Sequence, residues 1–210
     1  MKIRGYVMMA IAALGLSACA NTDIATRNAP MTAPVITAKV AAYNVQQVRV
    51  TVPETLKVSE ANLFYPVGDI VWRGDAFGNR YEQVKSIFDD GFGRAAAQLK
   101  QGQEVIVDIT VKRFHSLSEK ARFTIGGTHS IRFDMTVRDA KTGAVVLPTR
   151  EISSDLVAYG GNRAMEAERK GLTQRVRVTK HLTNVLLQEL STPISGPVAD
   201  AAVARRLNSI

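Results

Sequence analysis

Two stretches, 104–114 and 128–138, alternate apolar and polar side chains along their whole length, a period of two that an amphipathic helix does not produce. In the first, Val105, Val107, Ile109 and Val111 alternate with Asp108, Thr110 and Lys112. In the second, Ile131, Phe133, Met135 and Val137 alternate with Arg132, Asp134, Thr136 and Arg138. Strands of this kind must bury one face and wet the other, which demands a sheet covered on one side only. Residues 46–52 repeat the pattern through Val48, Val50 and Val52 before Pro53 ends it, and 145–157 place Ile152 and Leu156 inside with Glu151, Ser153 and Asp155 outside. Asp139-Ala140-Lys141-Thr142-Gly143 has a turn composition between two of these strands. An aromatic loop, Asn62-Leu63-Phe64-Tyr65-Pro66, leads to a short strand-like segment at 69–72.

Cover for the apolar face comes from two helical patterns. Asn79 followed by Glu82 resembles a capping box, and Tyr81, Val84, Phe88, Phe92, Ala95 and Leu99 then form one apolar stripe that Gly102 stops. Gly91 and Gly93 lie inside this stripe, each lowering helix propensity by roughly 1 kcal/mol, and mark a close approach or a break. The second pattern, 173–190, carries Val176, Leu182, Val185, Leu186 and Leu190. The expected fold is α+β: a two-layer sandwich in the order β-α-β-β-β-α, with an approximately four-stranded, mainly antiparallel sheet and two helices on one face. The opposite face mixes Arg49, Lys112, Arg132 and Arg138 with Asp108, Asp134, Glu151 and Asp155, the usual composition of a solvated sheet surface.

The start of the chain reads as an export signal. Lys2 and Arg4 precede an apolar run at 6–14, and Leu16-Ser17-Ala18-Cys19 supply small residues for a peptidase. The run is about half of the ~20 residues a membrane-spanning helix needs. Leu-Ser-Ala-Cys resembles the lipobox of bacterial lipoproteins, with Cys19, the only cysteine, as the lipidation site. Several acyl chains at that position hold a protein firmly where one is marginal. The expected division is a signal peptide at 1–18, a lipidated cysteine and tether at 19–44, an α+β domain at 45–190, and a Pro/Gly linker with a short amphipathic tail at 191–210. The residues after Cys19, Ala20-Asn21, lack an aspartate associated by resemblance with inner-membrane retention, so the expected location is the periplasmic face of the outer membrane. One cysteine also rules out an internal disulfide, and packing must supply the stability.

The formal net charge is +8. Removing Lys2 and Arg4 with a signal peptide leaves about +6. Behind an export signal such a surplus directs attention to anionic lipid or acidic envelope proteins, not to nucleic acid.

Reactive residue types concentrate between the second and third strands, where Arg113, Phe114, His115, Lys120, Arg122 and Phe123 form a candidate binding loop of basic and aromatic character. His115, Ser116 and Glu119 are the residue types of a hydrolase, but closeness in sequence does not make them converge, and no Gly-x-Ser-x-Gly elbow is present. The three histidines, His115, His129 and His181, show no metal-ligand spacing, and His181 is expected on the second helix away from the others. Gly126-Gly127 lacks the spacing of a phosphate loop and suits a turn or bulge opening the third strand. No catalytic residue, metal or cofactor is therefore expected.

The segments Asp69-Ile70-Val71-Trp72-Arg73-Gly74-Asp75, Arg113-Phe114-His115 and Glu119-Lys120-Ala121-Arg122-Phe123 resemble a family of uncharacterised bacterial lipoproteins, a domain of unknown function, over about 48–190. The resemblance implies no activity. More loosely, the element order is similar to small outer-membrane assembly lipoproteins, including the one that helps insert lipopolysaccharide. The expected role is a non-enzymatic accessory or assembly subunit that binds another envelope component. The alternatives are a carrier of lipid or lipopolysaccharide and an envelope hydrolase.

Overall fold

The computed structural model describes residues 38–41 and 43–194; the expected signal peptide, Cys19 and residues 195–210 lie outside them. In chain order the elements are β1 (Ala38–Ala41), β2 (Tyr43–Thr51), β3 (Ile70–Val71), α1 (Arg80–Ala96), β4 (Gln103–His115), α2 (Glu119–Arg122), β5 (Gly127–Asp139), β6 (Val145–Ser153), β7 (Leu156–Ala158), α3 (Gly161–Arg169), α4 (Gln174–Glu189) and β8 (Ser191–Ile194). The class is α+β, as the periodicity requires. β1 and β8, from segments expected to be tether and linker, pair antiparallel with each other.

The sheet has six strands, not four. Its order is β2-β4-β5-β6, with β3 pairing β4 beyond the end of β2 and β7 pairing β5 beyond the end of β6. Each outer lane is thus broken in two. Pro53 ends the first lane, and the second turns at Ser154, whose amide reaches Ile131 O (2.8 Å) while its hydroxyl bonds His181 Nε2 (2.8 Å). The sheet is also mixed: β2 and β3 run parallel to β4, because α1 forms the crossover between β2 and β4. Pro148 sits in β6, an edge strand, where the register with β5 shifts between Met135 and Val137.

The alternating residues face as their pattern requires. Val105, Val107, Ile109 and Val111 join Ile131, Phe133, Met135 and Val137 in one buried cluster with α1 and α4. Across the other face Arg138 pairs with Asp108 (2.9 Å) and Lys112 with Glu151 (2.8 Å). These exposed pairs contribute at most about 1 kcal/mol each.

Helix α1 begins where its cap predicts: the Asn79 side chain accepts from the amides of Tyr81 and Glu82. Gly91 and Gly93 do not break it. At Gly91 an added Cβ would stand 2.9 Å from Thr179 O and 3.0 Å from Leu182 Cβ, so the glycine lets α1 approach α4, a helix rather than the sheet. Thr183 Oγ1 donates to Gly91 O (2.9 Å) across the same contact. At Gly93 an added Cβ would meet nothing within 4 Å. Gly91→Ala is therefore expected to destabilise by about 1–3 kcal/mol despite its better helix propensity. Gly93→Ala should stabilise by up to about 1 kcal/mol. Urea midpoints of the two variants check this; equal shifts of the same sign would refute the close approach.

Candidate functional site

The binding loop expected from the sequence is divided by the fold. Arg113, Phe114 and His115 belong to β4. Phe114 is 1 % exposed and stands edge-on to Trp72, with ring centroids 5.5 Å apart. It is a core residue and is unavailable to a partner, because the register shift between Val111 and Arg113 turns Phe114 to the buried face that Val105, Val107, Ile109 and Val111 line. Arg113 is half-buried beside Gly68 O, and the His115 ring bonds Pro66 O (2.8 Å).

The remaining members stay together at one end of the domain. Ser118 caps the short helix α2 by accepting from the Ala121 amide. Its hydroxyl donates to Leu63 O (2.5 Å), and the Lys120 amide donates to Asn62 Oδ1 (2.7 Å). Lys120 Nζ lies 4.5 Å from the centre of the Phe64 ring. The aromatic loop 62–67 and the α2 loop are thus laced into one surface. Leu63, Phe64, Tyr65 (82 %), Val67 (91 %), Phe123 and Ile125 are all exposed on it. Arg122 is half-buried between an ion pair with Glu168 of α3 and the Phe123 ring, whose centre lies 5.2 Å from its guanidinium, and desolvation holds its pKa below the ordinary arginine value.

Gly126-Gly127 opens β5, and its function is close packing. An added Cβ on Gly160 would come within 2.0 Å of the Gly126 amide nitrogen, so the turn after β7 lies directly on the α2 loop. Gly126 itself has a φ of 75°.

Ser116 turns away from His115. The register that pairs His115 with Ser130 puts Ser116 opposite His129 one step further along. Ser116 Oγ lies 2.7 Å from His129 Nδ1 and 3.2 Å from Gln174 Oε1. A hydroxyl has one proton. If Ser116 donates to Gln174, His129 Nδ1–H must donate to Ser116, the reverse of a base activating a nucleophile. His129 is 1 % exposed, and burial first, then the charges of Arg177 and His181, push its pKa down to about 3. His181 lies on α4, as expected, with its Nε2 bonded to the Ser154 hydroxyl. Glu119 takes no part in this cluster; it opens α2 on the exposed surface. Among the described residues, no three His, Cys, Asp or Glu side chains gather as a metal site. No helix among them is long and apolar enough to cross a membrane.

A family profile described as "Family of unknown function (DUF6778)" matches residues 43–206. No curated protein matches the chain in sequence. Among solved structures, a candidate lipoprotein from Caulobacter crescentus CB15 is similar at 15 % identity and a TM-score of 0.30, over 68 % of this chain and 86 % of that one. A Xanthomonas campestris protein of the DUF330 family is similar at 10 % identity and a TM-score of 0.43, over 73 % and 87 %.

Because the folded His129 pKa lies below the ordinary 6.5, its neutral form stabilises the fold fully above that value, and the contribution is lost as pH falls towards 3. From pH 6.5 to 4.5 the loss should be about 2 kcal/mol. His129→Gln removes this titration, so its urea midpoint should fall less over that interval than that of the wild type. Parallel profiles would show that His129 is not held neutral.

Proposed function

Since the chain belongs to the DUF6778 family of unknown function, we propose its role from the site itself: a lipid-anchored envelope protein that docks another envelope protein through its aromatic end. The carrying observation is the surface formed by loops 62–67 and 120–125, where six large apolar side chains are exposed on backbone fixed by hydrogen bonds between the loops. Exposed apolar side chains gathered on a rigid base mark interaction surfaces. Lys120 over Phe64 adds a cation to this surface and favours a partner with acidic character.

The anchor comes from the sequence: the positive start, the apolar run and Cys19 in Leu-Ser-Ala-Cys support lipidation and export, with the outer membrane's periplasmic face as the proposed address. The role is proposed as non-enzymatic, since Ser116 and His129 are buried and Glu119 opens the exposed helix α2 outside their cluster. Docking is favoured over carriage of a lipid or lipopolysaccharide by the packing of Phe88, Phe92, Phe114 and Phe133 into the space between helices and sheet. The wider cleft between β2 and α1, about 460 Å³, is open to solvent and mixes Val45, Val48, Ala96 and Ala97 with Gln47, Asp89 and Lys100, without the enclosed apolar walls an acyl chain needs.

The test compares the full-length protein with a Phe123→Ser, Ile125→Ser double variant after chemical crosslinking in living cells. One protein adduct should dominate and fall at least about tenfold in the variant, a loss of roughly 1.4 kcal/mol. Val145→Ser, at the start of β6 opposite the far end of β5, should leave it unchanged. An adduct indifferent to the double variant, or lipid as the only species retained, would overturn the docking role.

A further inference from the structure

Beside the aromatic end, the ring of Tyr159 carries two guanidinium groups. Arg163 of α3 lies 3.8 Å from the ring centre and Arg177 of α4 lies 3.4 Å from it. Arg177 is fixed further by donating to Val157 O (2.6 Å). Four acids of the neighbouring segments are engaged elsewhere, Glu166 with Lys170, Glu168 with Arg122, and Asp75 and Asp90 with Arg175, while Asp155 acts on His181. Among the described residues, Arg163 and Arg177 take part in no ion pair, so two like charges share one ring without an anion between them. Burial first, and to a lesser degree the charge of Arg163, lowers the pKa of Arg177.

The third component is Gln174, 7 % exposed, at the first turn of α4. Its Oε1 is used by Ser116, which turns Nε2 the other way, and that nitrogen has no partner. Gln174, Arg177, Tyr159 and Leu172 line a small cleft of ≈ 10 Å³. That is room for about one water-sized atom, such as a single oxygen. The lining therefore brings a buried amide nitrogen without a partner together with the Arg177 guanidinium, and Arg163 lies on the same Tyr159 ring outside the lining. A planar carboxylate suits this arrangement: one oxygen enters towards Gln174 Nε2 and the other stays with the guanidinium groups. Leu172, Met165, Val176 and Val157 are exposed on the same elements and would meet an apolar neighbourhood around the acid.

We propose that Tyr159, Arg163, Arg177 and Gln174 form a carboxylate-binding site that receives an acidic side chain or chain terminus of a protein partner. This inference rests on the docking role, because the turn bearing Tyr159 packs on Gly126 and borders the aromatic end.

The test is an NMR titration of the isotope-labelled full chain in detergent with a tetraglutamate peptide, inorganic phosphate, or phosphatidylglycerol-containing vesicles at matched ionic strength. The peptide should shift the Gln174 side-chain amide signals saturably, and Arg163→Gln should weaken its binding about tenfold. Arg169→Gln, which removes the same charge from an exposed position on α3, should leave binding unchanged. Arg177→Gln should repeat the Arg163→Gln loss, with its urea midpoint confirming that it folds. Tighter binding of phosphate or vesicles than of peptide would overturn the proposal in favour of a phosphate or lipid site. Equal weakening by Arg169→Gln, or no saturable shift, would overturn it as well. If Arg163→Gln retains the cellular adduct that Phe123→Ser, Ile125→Ser loses, this site fails and the docking role stands.

Discussion

Phe88 is the contact on which the arrangement of the domain depends. Its ring meets Phe92 on its own helix at 5.4 Å, Phe133 of β5 at 5.6 Å and Phe114 of β4 at 6.1 Å. Phe114 passes the contact on to Trp72, and Trp72 Nε1 donates to Asp75, which also receives Arg175 of α4. Edge-to-face ring pairs add about 0.5–1.5 kcal/mol each beyond burial, but their larger effect is geometric. They hold α1 over the two longest strands and hold the segment after β3 against α4. Arg80, 3 % exposed, completes the clamp by binding Glu60, whose carboxyl it keeps below the ordinary carboxylate pKa. The loop 62–67 therefore leaves a fixed base, and its exposed side chains are displayed on ordered backbone.

Charge is distributed unevenly over this frame. On the wet face of the sheet, Asp108 takes Arg138 and Arg49, and Lys112 spans Asp134 and Glu151, so that face is largely compensated within itself. The aromatic end and the Tyr159 turn are different: one exposes apolar rings, and the other gathers arginines without acids. A partner would gain most where the domain has satisfied itself least. This is the physical reason for placing recognition at that end and reading the sheet face as solvated surface.

The inward faces of β4 and β5 and the start of α1 were legible in the sequence, because side-chain alternation and an Asn cap act locally. The parallel pairing of β2 was not, since a strand pattern shows which face is buried and not which neighbour it meets. Helix α3 was missed because its buried positions are Ala164 and Ala167, too small to mark a hydrophobic stripe. Within the site, Lys120 and Phe123 were found by their composition. Phe114 was not, because alternation along β4 does not show the register shift between Val111 and Arg113 that moves it to the buried face. The pairing of Ser116 with His129 could have been found by continuing the β4–β5 register one step. The convergence of Tyr159, Arg163, Arg177 and Gln174 had no comparable signal, since it arises only when α3 and α4 fold back on the turn after β7.

Photo-crosslinking in living cells tests the central claim most directly, with a photoreactive residue placed in turn at Phe64, Tyr65, Phe123 and Ile125, and at Val145 and Lys141 as distant controls. The account expects one and the same protein adduct from the first four positions and none from the two controls. Adducts from all six positions alike, or only lipid adducts from the aromatic end, would contradict it.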